Sequence, residues 1–409
     1  MGRITFRRLE DLEVAGKTVL VRADLNVPMQ GGRVTDSTRI LRLLPTLQYL
    51  VKKKARIVLL SHFDRPGGIF VPSLSLSPLV DAISEALGGR PVQFGVDCVG
   101  PAAREAVARL KPGEVLLLEN LRFHPEEEKG DVQFARDLAS LGDVFVNDAF
   151  SCSHRRHASI TGIASVLPSA VGRLMEEELH MLQRIFSKTA RPVAAIVGGS
   201  KISSKLALLE NLTSVVDVLV IGGAMANTFL YAEGYDVGKS LVEKSLKNTA
   251  KNILARAGKK GCRIVLPVDV VVARSLESQR GNKVVGVDHI PAWGIAADIG
   301  PATVKLFCEA VIPCKTAVWN GPMGAFETAP FDSGTIMLAR YIALLTGKKQ
   351  LRSIGGGGDT VAALARAGLE DGFSYLSAAG GAFLEWLEGK ELPGVAVLER
   401  ASRKARSRA

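Results

Sequence analysis

The arginine residues in the first half of the chain form a pattern that indicates anion chemistry. They stand at or after short apolar runs typical of buried strands, or open a predicted helix, and they are Arg22, Arg39, Arg65, Arg122, Arg155 and Arg156. A guanidinium donates paired hydrogen bonds to phosphate or carboxylate oxygens. Several guanidiniums gathered at one place repel one another unless an anion binds among them. The first half is therefore predicted to bind a small, strongly anionic molecule.

Glycine stands at the corresponding positions in the second half. The apolar runs there are followed by glycine-rich segments at 198–201, 222–223, 321–324 and 355–360. Glycine lets the backbone approach a ligand closely, and the N-terminus of a following helix offers unpaired N–H groups to phosphate. The second half is therefore predicted to bind a nucleotide.

Two common nucleotide fingerprints are missing from these segments. Residues 355–360 do not supply G-x-G-x-x-G, and the residue five before Gly238 is Glu233, which breaks the Walker spacing. This disfavours a nicotinamide dehydrogenase and a P-loop enzyme, although a dehydrogenase stays open as a rival. His62, which lies near arginine in the sequence, is expected to be a hydrogen-bonded loop residue and not a general base.

Individual residues of the glycine-rich segments could have a structural role instead of binding a ligand. Lys201 and Lys205 are four apart on a predicted helix and face either solvent or phosphate; the glycines before them favour phosphate. Asp359 either caps a helix that begins at Thr360 or holds Mg²⁺ on the nucleotide, and we favour the metal.

The elements that would position these residues indicate an α/β fold. Apolar runs alternate with segments of helical period along the whole chain, which is typical of parallel sheets covered by helices on both faces. The predicted strands are 18–22, 56–60, 91–94, 115–118 and 143–146, and then 193–197, 218–221, 263–266, 316–319 and 351–354. Ligands in such sheets bind beyond the carboxyl ends of the strands. Both groups of residues should therefore lie at ligand-binding edges.

The length of 409 residues favours two domains, each a Rossmann-like parallel sheet. The first is predicted at 1–172 and the second at 189–392. An amphipathic hinge helix at 173–188 joins them. Residues 393–409 are predicted to return to the first domain and to end in a basic tail.

The composition limits the partners and the location of the protein. The net charge is +11, and the last ten residues carry five basic side chains and no acid, which leaves +6 for the remainder. We interpret the tail as a solvated end and expect neither a nucleic-acid nor a membrane partner. No apolar run reaches membrane-spanning length and no signal-peptide core is present, so the predicted location is the cytoplasm. The five scattered cysteines are predicted to be free thiols.

Ten segments together resemble the phosphoglycerate kinase family. They occur in family order at 22–28 (RADLNVP), 61–66, 118–123 (LENLRF), 147–155, 198–205 (GGSKISSK), 221–225 (IGGAM), 298–301 (DIGP), 319–327, 356–360 (GGGDT) and 392–395 (LPGV). The resemblance covers roughly residues 4–398. It implies reversible, Mg²⁺-dependent phosphoryl transfer between 1,3-bisphosphoglycerate and ADP, giving 3-phosphoglycerate and ATP, in a hinge-bending enzyme that is typically a monomer.

The resemblance also implies roles for individual residues. The residues expected to bind 3-phosphoglycerate are Arg22, Asp24, Leu25, Asn26, Arg39, His62, Phe63, Asp64, Arg65, Arg122 and Arg155. Those expected to bind the nucleotide are Lys205, Gly222, Gly223, Asn320, Glu327, Gly357, Gly358, Asp359 and Thr360, with Glu327 at the ribose and Asp359 at the metal. Arg39, Lys201 and Lys205 are the catalytic candidates, acting on the phosphoryl group in flight.

The chain departs from the family pattern at four places. Asp64 replaces the glycine of the usual His-Leu-Gly-Arg-Pro, and Ser-Cys-Ser at 151–153 replaces the usual Gly-Thr-Ala. Ala302 stands where the family commonly has a lysine. In the turn that usually reads Ser-Thr-Gly-Gly-Gly-Ala, Ala378 and Ala379 replace the threonine and the first glycine. The expected cationic residues all remain, so we predict an active enzyme. A catalytically idle relative that binds a nucleotide or a partner is the main alternative.

Overall fold

The computed structural model describes residues 5–185, 191–277, 281–377 and 379–406. The chain forms two compact units. The N-terminal unit comprises 2–180 together with 391–409, and the C-terminal unit comprises 181–390. Among the described residues, no helix is both long enough and apolar enough to cross a membrane.

The N-terminal unit is built on a six-stranded parallel sheet. Its strands are β1 (Thr18–Arg22), β4 (Arg56–Leu60), β5 (Val92–Gly95), β6 (Val115–Leu118), β7 (Val144–Asn147) and β8 (Ser169–Val171), in the order β5-β6-β4-β1-β7-β8. A small antiparallel pair, β2 (Met29–Gln30) and β3 (Arg33–Val34), lies outside this sheet. The helices are α1 (Thr38–Lys52), α2 (Leu79–Ala86), α3 (Gly100–Arg109), α4 (Pro125–Lys129), α5 (Val132–Ala139), α6 (Ile163–Val166) and α7 (Arg173–Ile185).

Apolar periodicity explains how these elements pack. Every residue of β1 is buried, as expected for a central parallel strand with both faces covered. Helix α1 buries Ile40, Leu43, Leu47 and Leu50, whose spacing of three and four residues places them on one face. These side chains share one core cluster with the sheet.

The C-terminal unit has a second six-stranded parallel sheet. Its strands are β9 (Val193–Val197), β10 (Val218–Ile221), β11 (Arg263–Val265), β15 (Thr316–Asn320), β16 (Arg352–Gly356) and β17 (Tyr375–Ser377), in the order β11-β10-β9-β15-β16-β17. The strands β12 (Asp269–Ala273), β13 (Lys283–Gly286) and β14 (Ile295–Ile299) form a separate antiparallel sheet. The helices are α8 (Leu206–Val215), α9 (Met225–Glu233), α10 (Lys247–Lys260), α11 (Pro301–Val311), α12 (Ser333–Gly347), α13 (Gly358–Arg366) and α14 (Gly380–Leu387).

The predicted α/β class is confirmed, with two parallel sheets and each predicted strand found within two residues of its expected end. The antiparallel sheet and the three-residue strands β8 and β17 were not predicted. The helix predicted from 173 runs to Ile185, and residues 186–188 of that prediction lie outside the described residues. Helix α15 (Pro393–Arg406) packs against β8 and α6 within the N-terminal unit.

Candidate active site

The carboxyl ends of β1, β4 and β7 bring together residues from distant parts of the sequence. Arg22 is the last residue of β1 and lies in register with Leu60 of β4 and Asn147 of β7. The loops that leave these strands carry Asp24 and His62 among other predicted binding residues. The sheet therefore gathers the predicted anion site at one edge, which we call the arginine edge.

Arg22 is entirely buried beneath this edge. Its Nε donates to Oγ of Ser159 over 2.8 Å, its Nη1 donates to the carbonyl of Ala23, and its Nη2 lies 3.1 Å from Nδ1 of His62. The buried carboxylate of Glu127 accepts from the same Ser159 hydroxyl at 2.5 Å. The side chain of Arg22 thus supplies positive charge from below and has no exposed atom that could contact a ligand in this conformation.

His62 is a buried histidine within the arginine edge. The side chain is buried, and burial lowers its pKa well below 6.5, with further lowering from Arg22, Arg122 and Arg155. The imidazole is therefore neutral near pH 7. An imidazole with so low a pKa is a weak proton acceptor, and its Nδ1 is already within 3.1 Å of Nη2 of Arg22, as the interpretation of His62 as a hydrogen-bonded residue expects.

Arg39 is held by an acidic partner at the start of α1. Its Nη1 donates to Oδ2 of Asp24 over 2.6 Å, and the hydroxyl of Ser151 donates to the same oxygen over 2.5 Å. The side chain of Arg39 keeps about a third of its surface exposed (33%). Arg39 is therefore oriented on one side and open to a ligand on the other.

Arg122 joins the loops that follow β4 and β6. Its Nη1 donates to the backbone carbonyl of Asp64 over 2.6 Å, and its Nε lies 3.1 Å from Oε1 of Glu128. Burial, followed by the charge of Arg155, lowers the pKa of Arg122. Such crowding of like charges is relieved by a bound anion.

Asp64 takes a backbone conformation that glycine adopts freely. Its φ is 49°, in the left-handed region, and the family pattern has glycine at this position. Asp is one of the few other residues found there with any frequency. Its backbone N–H donates to Oδ1 of Asn26 over 3.0 Å, which links the loops after β1 and β4.

The remaining predicted substrate residues differ in exposure. Leu25 is fully buried, and its N–H donates to Oγ of Ser61. Phe63 is almost buried and exchanges hydrogen bonds with the side chain of Asn120 through its N–H and its carbonyl. Arg65 is exposed, and Nε of Arg155 donates to Nε2 of the neighbouring His154 at 3.2 Å. Leu25 and Phe63 therefore support the loops, while Arg65 is available to a ligand.

The carboxyl ends of β9, β10, β15 and β16 form the corresponding edge of the C-terminal unit, which we call the glycine edge. A Cβ on Gly198 would stand 1.9 Å from the carbonyl oxygen of Pro322, and one on Gly222 would stand 2.4 Å from the sulfur of Met323. Gly223 has φ +66, and a Cβ there would lie 2.6 Å from the backbone N of Gly199. Only glycine permits this close packing of strand ends.

Lys205 lies over the end of β15. Its Nζ donates to Oδ1 of Asn320 over 2.5 Å. Burial lowers its pKa to about 8, against the opposing influence of the Asp359 carboxylate. A partly desolvated ammonium at a strand edge is suited to contact phosphate oxygens.

Asn320 and Thr360 tie the loop at 321 to the start of α13. The amide of Asn320 donates to the carbonyl of Gly356 over 2.7 Å, and the N–H of Gly321 donates to Oγ1 of Thr360 over 2.7 Å. Gly357 precedes α13 with φ +98. Helix α13 begins at Gly358, two residues before the predicted start at Thr360.

Gly358 and Asp359 are exposed in the first turn of α13. No heavy atom lies within 4 Å of where a Cβ on Gly358 would stand, so its backbone is open to a ligand. An exposed carboxylate beside this opening, close enough to raise the pKa of Lys205, fits a Mg²⁺ ion carried by a nucleotide.

The placement of Lys201 corrects one prediction. Lys201 and Lys205 do not share a helix face, because α8 begins only at Leu206 and a short 3₁₀ turn, Ser203–Lys205, precedes it. The carboxylate of Glu243 accepts from the N–H and hydroxyl of Ser203 at 2.9 and 2.5 Å, which fixes this turn. Lys201 is exposed.

Glu327 and the altered turn near 378 lie on other loops of the same unit. Glu327 is exposed, and its carbonyl accepts from Nη1 of Arg366 over 2.9 Å. Ala379 is buried at the start of α14, where its N–H donates to Oγ of Ser377. Ala378 lies outside the described residues.

Sequence reasoning missed the supporting residues Ser151, Ser159 and Glu127. Each acts on a predicted residue across a large sequence separation: Ser151 donates to Asp24, and Ser159 links Arg22 to Glu127. Serine and glutamate are common surface residues, so their types carried no signal. The replacement of the family's glycine by Ser151 was the one visible hint.

A parallel sheet whose edge gathers arginines, with Arg22 and Arg122 buried, and a second sheet with a glycine-lined edge and a desolvated lysine, are features of an α/β phosphotransferase. The family model described as phosphoglycerate kinase matches residues 9–390. The chain is 55% identical over 394 residues to the phosphoglycerate kinase of Methylorubrum extorquens (strain PA1), covering 96% of this chain and 98% of the relative. It is 55% identical over 395 residues to that of Rhodospirillum centenum, covering 97% and 100%.

Solved structures agree with these matches. The structure of phosphoglycerate kinase from Coxiella burnetii superposes with a TM-score of 0.89 at 40% identity, covering 97% of this chain and 99% of that one. That from Pyrococcus horikoshii OT3 gives 0.81 at 31% identity, with the same coverage. The chain belongs to the phosphoglycerate kinase family and is a kinase.

Proposed function

We propose that the protein catalyses reversible, Mg²⁺-dependent transfer of a phosphoryl group between 1,3-bisphosphoglycerate and ADP, giving 3-phosphoglycerate and ATP. Family membership supports this proposal. The structural observation that carries it is the gathering of arginines at the arginine edge, where Arg22 lies beneath His62, Arg39 is held by Asp24 with a third of its side chain exposed, and Arg122 donates to the carbonyl of Asp64. A triose that bears a phosphate and a carboxylate would compensate this charge.

The chemistry needs no general base. In the direction that consumes ATP, the attacking group is the carboxylate of 3-phosphoglycerate, which is ionised at neutral pH. Catalysis then consists of aligning the two ligands and stabilising the charge on the phosphoryl oxygens. Burial lowers the pKa of His62 and so makes it a weak base, which is consistent with such a mechanism.

The residues of the arginine edge differ in solvent exposure, and their proposed roles differ accordingly. Arg39 and Arg65 have exposed surface and would donate directly to the substrate. Arg22 would act from below, as a fixed charge that also orients His62. Asp24 would hold Arg39 in the orientation that the substrate requires.

The glycine edge would hold the nucleotide. Lys205 and the first turn of α13 would bind its phosphates, Gly222, Gly223 and Asn320 would line the site, and Glu327 would reach the ribose hydroxyls. Asp359 would hold the Mg²⁺ that accompanies the nucleotide. When bound, this ion neutralises charge on the phosphate oxygens. Lys201, which is exposed on the loop after β9, would stabilise the phosphoryl group together with Arg39.

Transfer requires the two ligands to meet in line, so we infer a hinge that closes the two units over them. Helix α7 and the segment after Leu392 are the proposed hinge elements, because the chain crosses from one unit to the other at 180–181 and at 390–391. Closure would also exclude water that would hydrolyse the acyl phosphate. We further propose that the enzyme is a cytoplasmic monomer.

A coupled assay of ATP consumption tests the function. Wild-type protein with Mg²⁺ should turn over only when 3-phosphoglycerate is present. Arg39→Ala and Lys201→Ala should each lower kcat by roughly 10²–10³-fold, the usual loss when one group that stabilises transition-state charge is removed. Arg109→Ala, which removes an exposed arginine of α3, is the matched control and should retain activity.

Absence of turnover in this assay would contradict the proposed function. A folded wild-type preparation that binds ATP and shows no turnover would overturn the proposal and favour a catalytically idle relative. Equal losses in all three variants would instead indicate a general effect of removing positive charge.

A further inference from the structure

Three residues outside the proposed active site bring their potential metal ligands close together in the N-terminal unit. They are Asp97, Cys98 and His124, and one carboxylate oxygen, the thiol sulfur and one imidazole nitrogen all lie within 4.8 Å of one another. Nε2 of His124 is 2.8 Å from Oδ1 of Asp97. Among the residues that the structure describes, this is the one such group of three or more.

The fold, and not a sequence motif, creates this group. Asp97 and Cys98 follow β5, whereas His124 follows β6, the strand that pairs with β5 in register from Val92 to Gly95. Twenty-five residues separate Cys98 from His124, so no zinc-type spacing is visible in the sequence. The ring of His124 packs against Phe134 at 5.2 Å between centroids, which restrains its orientation.

The set of donors selects a particular kind of cation. Thiolate, imidazole and carboxylate are the ligands of Zn²⁺, whereas Mg²⁺ and Ca²⁺ prefer oxygen alone. Tetrahedral zinc would bring the three ligand atoms to about 3.3–3.7 Å from one another, which requires a side-chain adjustment of roughly 1 Å. The ligand atoms are therefore close to a coordinating arrangement without being fixed in it.

The three proposed ligand residues differ in their exposure to solvent. Cys98 has no exposed surface, while the side chains of His124 and Asp97 remain 29% and 42% exposed. A cation can therefore enter from the side of the histidine and the aspartate. Water would complete the fourth position on the same side.

The carboxylate of Asp97 lies directly beside the thiol, since its Oδ1 accepts from the backbone N–H of Cys98 at 2.6 Å. Carboxylates that oppose a thiolate also attract a divalent cation. Binding would replace the thiol proton by the S–metal bond and release one proton to solvent, so affinity should increase with pH.

We propose that Asp97, Cys98 and His124 form a binding site for a zinc-type divalent cation. The bound cation would join the loop after β5 to the segment after β6, which also carries Arg122, and would stabilise the N-terminal unit. This role is independent of phosphoryl transfer and of the Mg²⁺ on the nucleotide.

Cobalt titration of the full-length, nucleotide-free protein tests the site, because Co²⁺ bound to a thiolate absorbs strongly in the near ultraviolet. An excess of Mg²⁺ in the buffer occupies sites made of oxygen ligands. We expect one equivalent of Co²⁺ to produce the thiolate absorption and Zn²⁺ to abolish it. Cys98→Ser should remove the absorption, and His124→Gln, at a partly exposed position, should weaken binding at least tenfold. Cys308→Ser, which removes a free thiol of the C-terminal unit, should leave the absorption unchanged.

Thermal unfolding provides a second readout. Zn²⁺ should raise the Tm of the wild type and of Cys308→Ser, but not that of His124→Gln. Absence of the thiolate absorption in the wild type, or its persistence in Cys98→Ser, would overturn the proposal. Asp97 and His124 would then form only a hydrogen-bonded pair beside a buried thiol.

Discussion

The carboxylate of Asp24 accepts a hydrogen bond from Nη1 of Arg39 over 2.6 Å. The two residues come from different elements, because Asp24 follows β1 and Arg39 lies in the first turn of α1. Ser151, from the loop after β7, donates to the same carboxylate oxygen. The orientation of the catalytic candidate Arg39 thus depends on three segments that meet at the arginine edge.

This relationship predicts the effect of Asp24→Asn, which keeps the shape of the side chain and removes its charge. A hydrogen bond to a charged group contributes about 1.5–3 kcal/mol, so kcat/KM for 3-phosphoglycerate should fall at least about tenfold. The KM for ATP should change little, since the nucleotide is proposed to bind at the glycine edge. Steady-state kinetics measure both values. Asp81→Asn, at an exposed position of α2, is the matched control. Unchanged kcat/KM in Asp24→Asn would show that Arg39 is oriented without its partner.

The carboxylate of Asp64 leads to a second prediction. It stands beside Arg65 in the sequence at a position where the family has glycine, and its backbone φ is 49°. Removing an exposed charge from the anion site should lower the KM for 3-phosphoglycerate by up to about fivefold, and the gain should shrink as salt is added.

Two variants separate the charge of Asp64 from its conformation. Asp64→Asn removes the charge and keeps a residue that tolerates the left-handed region, whereas Asp64→Gly also relaxes the backbone. Kinetics over a range of salt concentrations should give the same KM for both variants. If only the glycine variant improves, the backbone and not the charge limits binding.

The strands and the cationic residues were predictable because each depends on local sequence. A buried parallel strand such as β1 is a continuous apolar run, and its bounds were predicted to the residue. The antiparallel sheet was missed because β13 is largely exposed, and because the buried apolar run of β12 closely follows that of β11 and was not separated from it. The prediction that Lys201 and Lys205 share a helical face was wrong because the hydrogen bonds from Ser203 to Glu243 favour a 3₁₀ turn there, and Glu243 is distant in sequence.

The environment of the site residues was not predictable from the sequence. The pattern of arginines indicated an anion site but could not distinguish Arg22, which is fully buried, from Arg65, which is exposed. Burial depends on which side chains from other strands cover a residue. In the same way, the glycines of the second half were visible, whereas the contact of Lys205 with Asn320 exists only once β9 and β15 pair.

Gly198 provides a prediction about stability. A Cβ at this position would lie 1.9 Å from the carbonyl oxygen of Pro322, so Gly198→Ala must displace the backbone at the glycine edge. Such overpacking should lower the free energy of unfolding by about 3 kcal/mol, and ATP binding should weaken with it. Chemical denaturation and calorimetric titration measure the two effects.

Gly347→Ala is the matched control for Gly198→Ala. Gly347 ends α12, and no heavy atom lies within 4 Å of its hypothetical Cβ. Alanine there should be neutral or stabilise by up to about 1 kcal/mol. Equal stability of the two variants would mean that the strand ends at Gly198 can separate without cost.

The lowered pKa of Lys205 leads to a prediction of how ATP binding depends on pH. Burial lowers the pKa of its ammonium from 10.5 to about 8, so in the free enzyme the side chain loses its proton as the pH rises through 8. Phosphate oxygens bind the protonated form, and a bound nucleotide therefore raises this pKa. By linkage, ATP affinity should be constant below about pH 8 and should fall above it, by up to about tenfold per pH unit.

Calorimetric titration of Mg²⁺-ATP between pH 7 and pH 9 measures this dependence. Lys205→Met should bind ATP weakly at every pH and without the decline, because no ammonium remains to titrate. Lys251→Met, at an exposed position of α10, should retain both the affinity and the decline. A wild-type affinity that stays constant to pH 9 would mean that Lys205 keeps its proton in the free enzyme, and that its hydrogen bond to Asn320 outweighs the cost of burial.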